Sequence, residues 1–245
     1  MNNVLKLFLA EYQKLKRTFT KKLIWLAPIV TMLLCVILGG GNMFQNGSYN
    51  WWYTMLLPGT LTLICTSVIQ KDKNKLNYRG ILSLPIKPEK IWVGKIVACA
   101  FLYLISCIVF FVGVTLGGLV CGITISLIQS AAGSILLFIT FLWQIPLCMF
   151  LTDRLNLFFT VSINLAGNIA CTIFASRTSC WWIPYAIPAR LMCPVIKVLP
   201  NGLSVPANDP LLSTSVILPG VLITLTLFIA LSVLTALSYR KLEAK

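Results

Sequence analysis

Apolar stretches of about twenty residues recur along the whole chain, and none of them alternates apolar with polar positions. A run of that length crosses a hydrocarbon core of roughly 30 Å as a helix. Spanning segments must satisfy their backbone internally, which leaves helices or a closed barrel, and barrel strands would alternate. The pattern therefore predicts an all-α, polytopic membrane protein with six transmembrane helices, at about 23–41, 51–70, 92–117, 130–151, 157–176 and 213–237. Gly39-Gly40-Gly41 is read as the end of the first span, NMFQNGSYN as a loop, and Trp51 and Trp52 as interfacial belt residues. A glycine-rich turn is expected around Gly117, Gly118 and Gly122, and a very short one at Asp153–Asn156.

Residues 1–22 follow a different period. Leu5, Phe8, Leu9, Tyr12, Leu15 and Phe19 recur at spacings of three and four, with lysine and arginine filling much of the remainder. This predicts an amphipathic helix lying in the membrane interface. The chain then divides into that helix, 1–22, and a single six-helix transmembrane domain, 23–245.

Charge sets the orientation. With the N-terminus inside, 17 of the 20 lysines and arginines fall on internal segments, and only Arg177, Arg190 and Lys197 lie outside. Both termini are thus expected to be cytoplasmic. The net charge of +14 is read as topological, so no nucleic-acid partner is expected.

Catalytic chemistry is sparse. The chain has no histidine, no CxxC and no GxxxxGK[ST], so neither metal spacing nor a nucleotide-binding loop is present. No acidic residue falls in mid-span, which disfavours an ion-coupled pump. Hydroxyls and thiols have no base to activate them. The chain reads as a non-enzyme without cofactor or metal, and any uphill work must be driven by a partner. Cys180 and Cys193 share an expected external loop, paired or unpaired.

Residues 71–95, KDKNKLNYRGILSLPIKPEKIWVGK, form a basic island between two apolar spans. A passive loop needs no ordered apolar core, yet Ile81, Leu82 and Leu84 lead into Pro85 and Pro88, which stiffen a bend. Glu89 and Lys90 open the next helix, and Lys95 is expected to snorkel toward the headgroups. Ile81-Leu82-Ser83-Leu84-Pro85-Ile86, with Lys87, Lys90 and Gly94-Lys95, resembles the coupling motif of ABC-2-type transporter permeases. The resemblance implies that segment 71–91 seats a separate ATPase, with Leu76, Tyr78, Arg79, Ile81, Leu82, Ser83, Leu84, Pro85, Ile86 and Lys87 as contacts. Many such permeases carry an acidic residue and Gly-Thr before the Leu-Leu run; here that region reads NKLNYRGIL.

Size and the basic opening narrow the resemblance to the permease subunits of lantibiotic immunity transporters. It implies an ABC ATPase, acting as a homodimer, a second and non-identical permease, membrane lipid, and a cationic amphipathic peptide as cargo. It also implies the plasma membrane of a Gram-positive bacterium. Another cargo (a drug, lipid or polysaccharide) or a non-transporting sensor or assembly role are the alternatives. The proline-rich outer segment 177–212 holds Trp181, Trp182 and Tyr185, read as a re-entrant or interface-lying surface that meets a lipophilic substrate, or else as an aromatic belt.

Overall fold

The computed structural model describes residues 3–15, 18–39, 41–74, 86–176 and 180–240. Among them the elements are helical: α1 (Asn3–Leu15), α2 (Phe19–Gly39), α3 (Phe44–Trp51), α4 (Leu57–Asn74), α5 (Pro88–Cys121), α6 (Leu127–Phe141), α7 (Gln144–Arg154), α8 (Leu157–Thr172), α9 (Ile187–Ile196) and α10 (Ile217–Arg240). Short 3-10 turns join several of them, and a π-helical turn at Trp52–Leu56 welds α3 to α4. The fold is all-α, with six helical stretches among the described residues long and apolar enough to cross a membrane. They run Phe19–Leu38, Phe44–Lys73, Pro88–Cys121, Leu127–Arg154, Leu157–Ser176 and Thr214–Arg240.

The second span begins earlier than its hydropathy implies. NMFQNGSYN is not a loop: Phe44–Trp51 is helical, and Gln45, Asn46 and Tyr49 are buried with hydrogen-bond partners. Gln45 Oε1 accepts the backbone N–H groups of Thr124 and Ile125, both at 2.8 Å. Asn50 Nδ2 donates to Pro200 O at 2.7 Å. Trp52 does not sit in a belt either. It is 1% exposed and stacks on Phe110 with ring centroids 4.6 Å apart.

The glycine-rich turn is also corrected. Gly117 and Gly118 lie within α5, which ends only at Cys121. A methyl group at Gly117 would sit 2.4 Å from Phe44 Cε1, and one at Gly118 2.2 Å from Gln45 Nε2. These glycines let α3 approach α5, and only Gly122, at φ 118°, makes the reversal.

The fourth span is broken between α6 and α7 at Leu142–Trp143. Pro146 explains the position, since it has no N–H for the Leu142 carbonyl and its ring crowds that group. The expected short turn follows α7, where Asn156 caps α8 by accepting from Phe159 N at 3.1 Å. Beyond α8, helix α9 is buried from Ile187 to Cys193 and packs against Gly133 of α6 and Gly220 of α10. Cys180 and Cys193 are not joined by a disulfide.

Candidate functional site

The two ends of the bundle differ in character. At one end α1 crosses the start of α5, where a methyl on Gly94 would lie 3.0 Å from Leu7 Cβ. Phe8 and Tyr12 of α1 both meet Phe101 edge-on, at 5.4 and 5.8 Å. The same face of α1 carries Glu11, buried against α4 and α5.

Lys95 is the centre of this end. It is fully buried, and its ammonium donates to Asp72 Oδ2 and, at 3.2 Å, to Glu11 Oε2. Lys14 takes the remaining oxygens, Glu11 Oε1 at 2.7 Å and Asp72 Oδ1 at 3.3 Å. Burial lowers the Lys14 pKa, but the two carboxylates outweigh that and hold the ammonium above its ordinary value. Lys71 donates to the Lys14 carbonyl, one of the groups left open where α1 ends. The expected snorkelling of Lys95 is therefore overturned. A lysine extends to the headgroups when no anion is within reach, and here two carboxylates are.

The chain's other ionic and aromatic contacts at this end draw in the last helix. Trp92 meets the Tyr239 ring at a 34° tilt, centroids 4.6 Å apart, and donates its Nε1–H to Thr235 Oγ1 at 2.9 Å. Glu89 pairs with Arg240 at 3.4 Å. Lys73 Nζ donates to Asp153 O at 2.7 Å, and Arg154 to Ser238 Oγ at 3.3 Å. The ends of α4, α7 and α10 and the start of α5 thus form one polar-stitched platform, with α1 laid across it.

Of the residues expected to contact an ATPase, Leu76, Tyr78, Arg79, Ile81, Leu82, Ser83, Leu84 and Pro85 lie outside the described residues. Ile86 and Lys87 are described. Ile86 is exposed, and Lys87, with extended backbone, leads into Pro88 at the first position of α5. Both stand beside the platform.

A second polar group lies deep between α4, α7 and α8. Asn164 Nδ2 donates to Thr62 Oγ1 at 2.8 Å and to Gln144 Oε1 at 2.9 Å. Gln144 Nε2 donates to Asn168 Oδ1 at 3.2 Å. Sequence reading missed this network. Asn164, Asn168 and Thr172 at steps of four, with Thr160 before them, were its signal.

Tyr185 joins the same network. Its hydroxyl donates to Asn164 Oδ1 at 3.2 Å, and its ring meets Trp143 edge-on at 4.7 Å. Trp181 is partly buried against the core, while Trp182 is 58% exposed. The three aromatic residues expected to form one surface are therefore split: Trp182 is exposed, and Tyr185 ties its own segment to the bundle interior.

Every carboxylate among the described residues is engaged: Glu11 and Asp72 with lysines, Glu89 with Arg240, Asp153 with Arg154 at 4.0 Å, and Asp209 as a cap accepting from Leu211 N. No group of three metal-ligating side chains occurs among them. What the arrangement offers is mechanical: a charged platform at one end, connected by polar contacts and long helices to an aromatic outer segment.

A family model described as ABC-2 family transporter protein matches residues 7–176, which spans α1 through the end of α8 and its following turn. No curated protein and no solved structure matches the chain. The match covers more than half of the sequence and takes in the α4, α5 and α7 parts of the platform, so the chain belongs to the ABC-2 family of transporter proteins, as a multi-pass membrane component that partners an ABC ATPase.

Proposed function

We propose that this protein is the permease subunit of an ATP-driven exporter that removes lantibiotics or similar cationic amphipathic peptides from the membrane. Its ATPase seats against segment 71–91, the platform end faces the cytoplasm, and residues 23–245 act as one transmembrane domain behind the interfacial helix. A second, non-identical permease completes the path. The plasma membrane of a Gram-positive bacterium is its setting.

The observation that carries this reading is the placement of Ile86 and Lys87 beside the stitched ends of α4, α5, α7 and α10. A push delivered there reaches several spans at once, as a driven permease requires. Support for the cargo rests on the outer end. Its charges are Arg177, Arg190, Lys197 and Asp209, a net of +2, so long-range steering does not gather a cationic peptide. Exposed Trp182 offers apolar capture instead.

Expression in a sensitive host, with and without the companion ATPase, tests the reading by survival against several lantibiotics. ATPase-dependent protection is the expected result, and its loss in Leu82→Ala, Leu84→Ala and Pro85→Ala chains that still insert would support the seat. Protection without the ATPase contradicts the coupling reading. ATPase-dependent resistance to a drug, but to no peptide, contradicts the cargo.

A further inference from the structure

The ion cluster of Glu11, Lys14, Asp72 and Lys95 is more than a neutral patch. Each carboxylate meets both ammonium groups, so the four charges alternate and cancel. They come from three helices: Glu11 and Lys14 from α1, Asp72 from the last turn of α4, and Lys95 from the second turn of α5. Lys95 is wholly shielded, Glu11 is 5% exposed and Asp72 8%.

Such a cluster resists partial opening. Separating one pair inside a low-dielectric site leaves a buried charge uncompensated, and that costs more than the intact pairs contribute. The arrangement is closed or broken, with little between. Its place along the chain gives that property a consequence. Asp72 stands at the start of segment 71–91, where α4 ends, and Lys95 just past its end, near the start of α5. Their ion pair fixes the two flanks of that segment to each other, and Glu11 and Lys14 fix both flanks to α1.

We propose that the Glu11–Lys14–Asp72–Lys95 cluster is a charge lock that makes α1, the end of α4 and the start of α5 one moving body. Lys71 reinforces the lock at the end of α1, and the close approach of Gly94 to Leu7 seats it. Force applied between the two flanks then shifts the interfacial helix together with the second and third spans. This rests on the reading of segment 71–91 as the ATPase seat, and it assigns to Glu11 and Lys95 a positioning role.

Amide hydrogen exchange on the full chain in lipid nanodiscs, followed by peptide, tests the lock without the ATPase. Glu11→Gln and Lys95→Met should each speed exchange across residues 3–15 at least tenfold while leaving 217–240 unchanged. Because the cluster opens as a unit, the double variant should be no faster there than the faster single, and Lys95→Arg should stay close to the parent. Unchanged exchange in α1, additive effects, or acceleration spread equally over every helix would each overturn the lock. If Lys95→Met fails to insert, Glu11→Gln alone decides the matter, since it leaves the Lys95–Asp72 pair in place. Export in the presence of the ATPase is read separately. A loosened α1 with full ATPase-driven export overturns the force-carrying role of the lock, whereas export that no longer depends on the ATPase contradicts the coupling seat.

Discussion

A methyl group placed on Gly94 would sit 3.0 Å from Leu7 Cβ and 3.6 Å from the Leu7 carbonyl carbon, so α1 and α5 meet there with no room for a side chain. Gly94→Ala forces a small retreat, and Gly94→Leu forces α1 off the platform. Overpacking of this kind costs about 1–3 kcal/mol. Thermal unfolding in detergent should place the leucine variant well below the parent and the alanine variant between them.

The lysines of the buried cluster should not be equivalent. Lys95 is wholly buried, whereas the Lys14 side chain is 38% exposed. Lys95→Met strands two carboxylates and should destabilise by about 3–5 kcal/mol, the range for breaking a buried pair. Lys14→Ala, with solvent to screen the loss, should cost about 1 kcal/mol or less. Denaturant unfolding of the two variants checks the ratio.

Asn164 accepts from Tyr185 and donates to both Thr62 and Gln144. Interhelical hydrogen bonds within membranes contribute about 0.6 kcal/mol on average and up to about 1.7. Asn164→Ala breaks these three and a longer fourth, to Pro58 O at 3.5 Å, and should lower stability by about 2 kcal/mol. In a double-mutant cycle with Tyr185→Phe the two losses should fall short of additivity, since they share one bond. Trp182→Ala, by contrast, removes a largely exposed ring and should cost less than Asn164→Ala.

Salt distinguishes capture by contact from capture by charge. On the proposed orientation the outer face has a net charge of +2, which would not attract a cationic peptide over distance. Raising ionic strength within the range that cells tolerate should change protection little, and Trp182→Ala should reduce it. A steep loss of protection with salt alone would contradict the cargo assignment.

Much of this architecture is legible in the sequence, because lipid demands long apolar runs and the runs are there. The errors fall where a polar or small residue serves a partner remote in sequence. Gln45 and Asn50 look like loop residues until Thr124, Ile125 and Pro200 are seen to satisfy them. Gly117 and Gly118 look like a turn, yet they make space for Phe44 and Gln45. Lys95 looks like a snorkelling lysine because its second carboxylate, Glu11, lies 84 residues away. Local pattern carries no record of such pairs. The expected coupling motif is legible by resemblance alone, and of its expected ATPase contacts the structure describes Ile86 and Lys87, which lead into α5.

Photocrosslinking from positions Leu84 and Lys87 of the full chain, in membranes that also contain the ABC ATPase, addresses the central claim most directly. The account predicts crosslinks to the ATPase from both positions, with yields that change when ATP is bound and hydrolysed. Crosslinks absent from both positions in a complex that still exports, or export that persists without the ATPase, would contradict it.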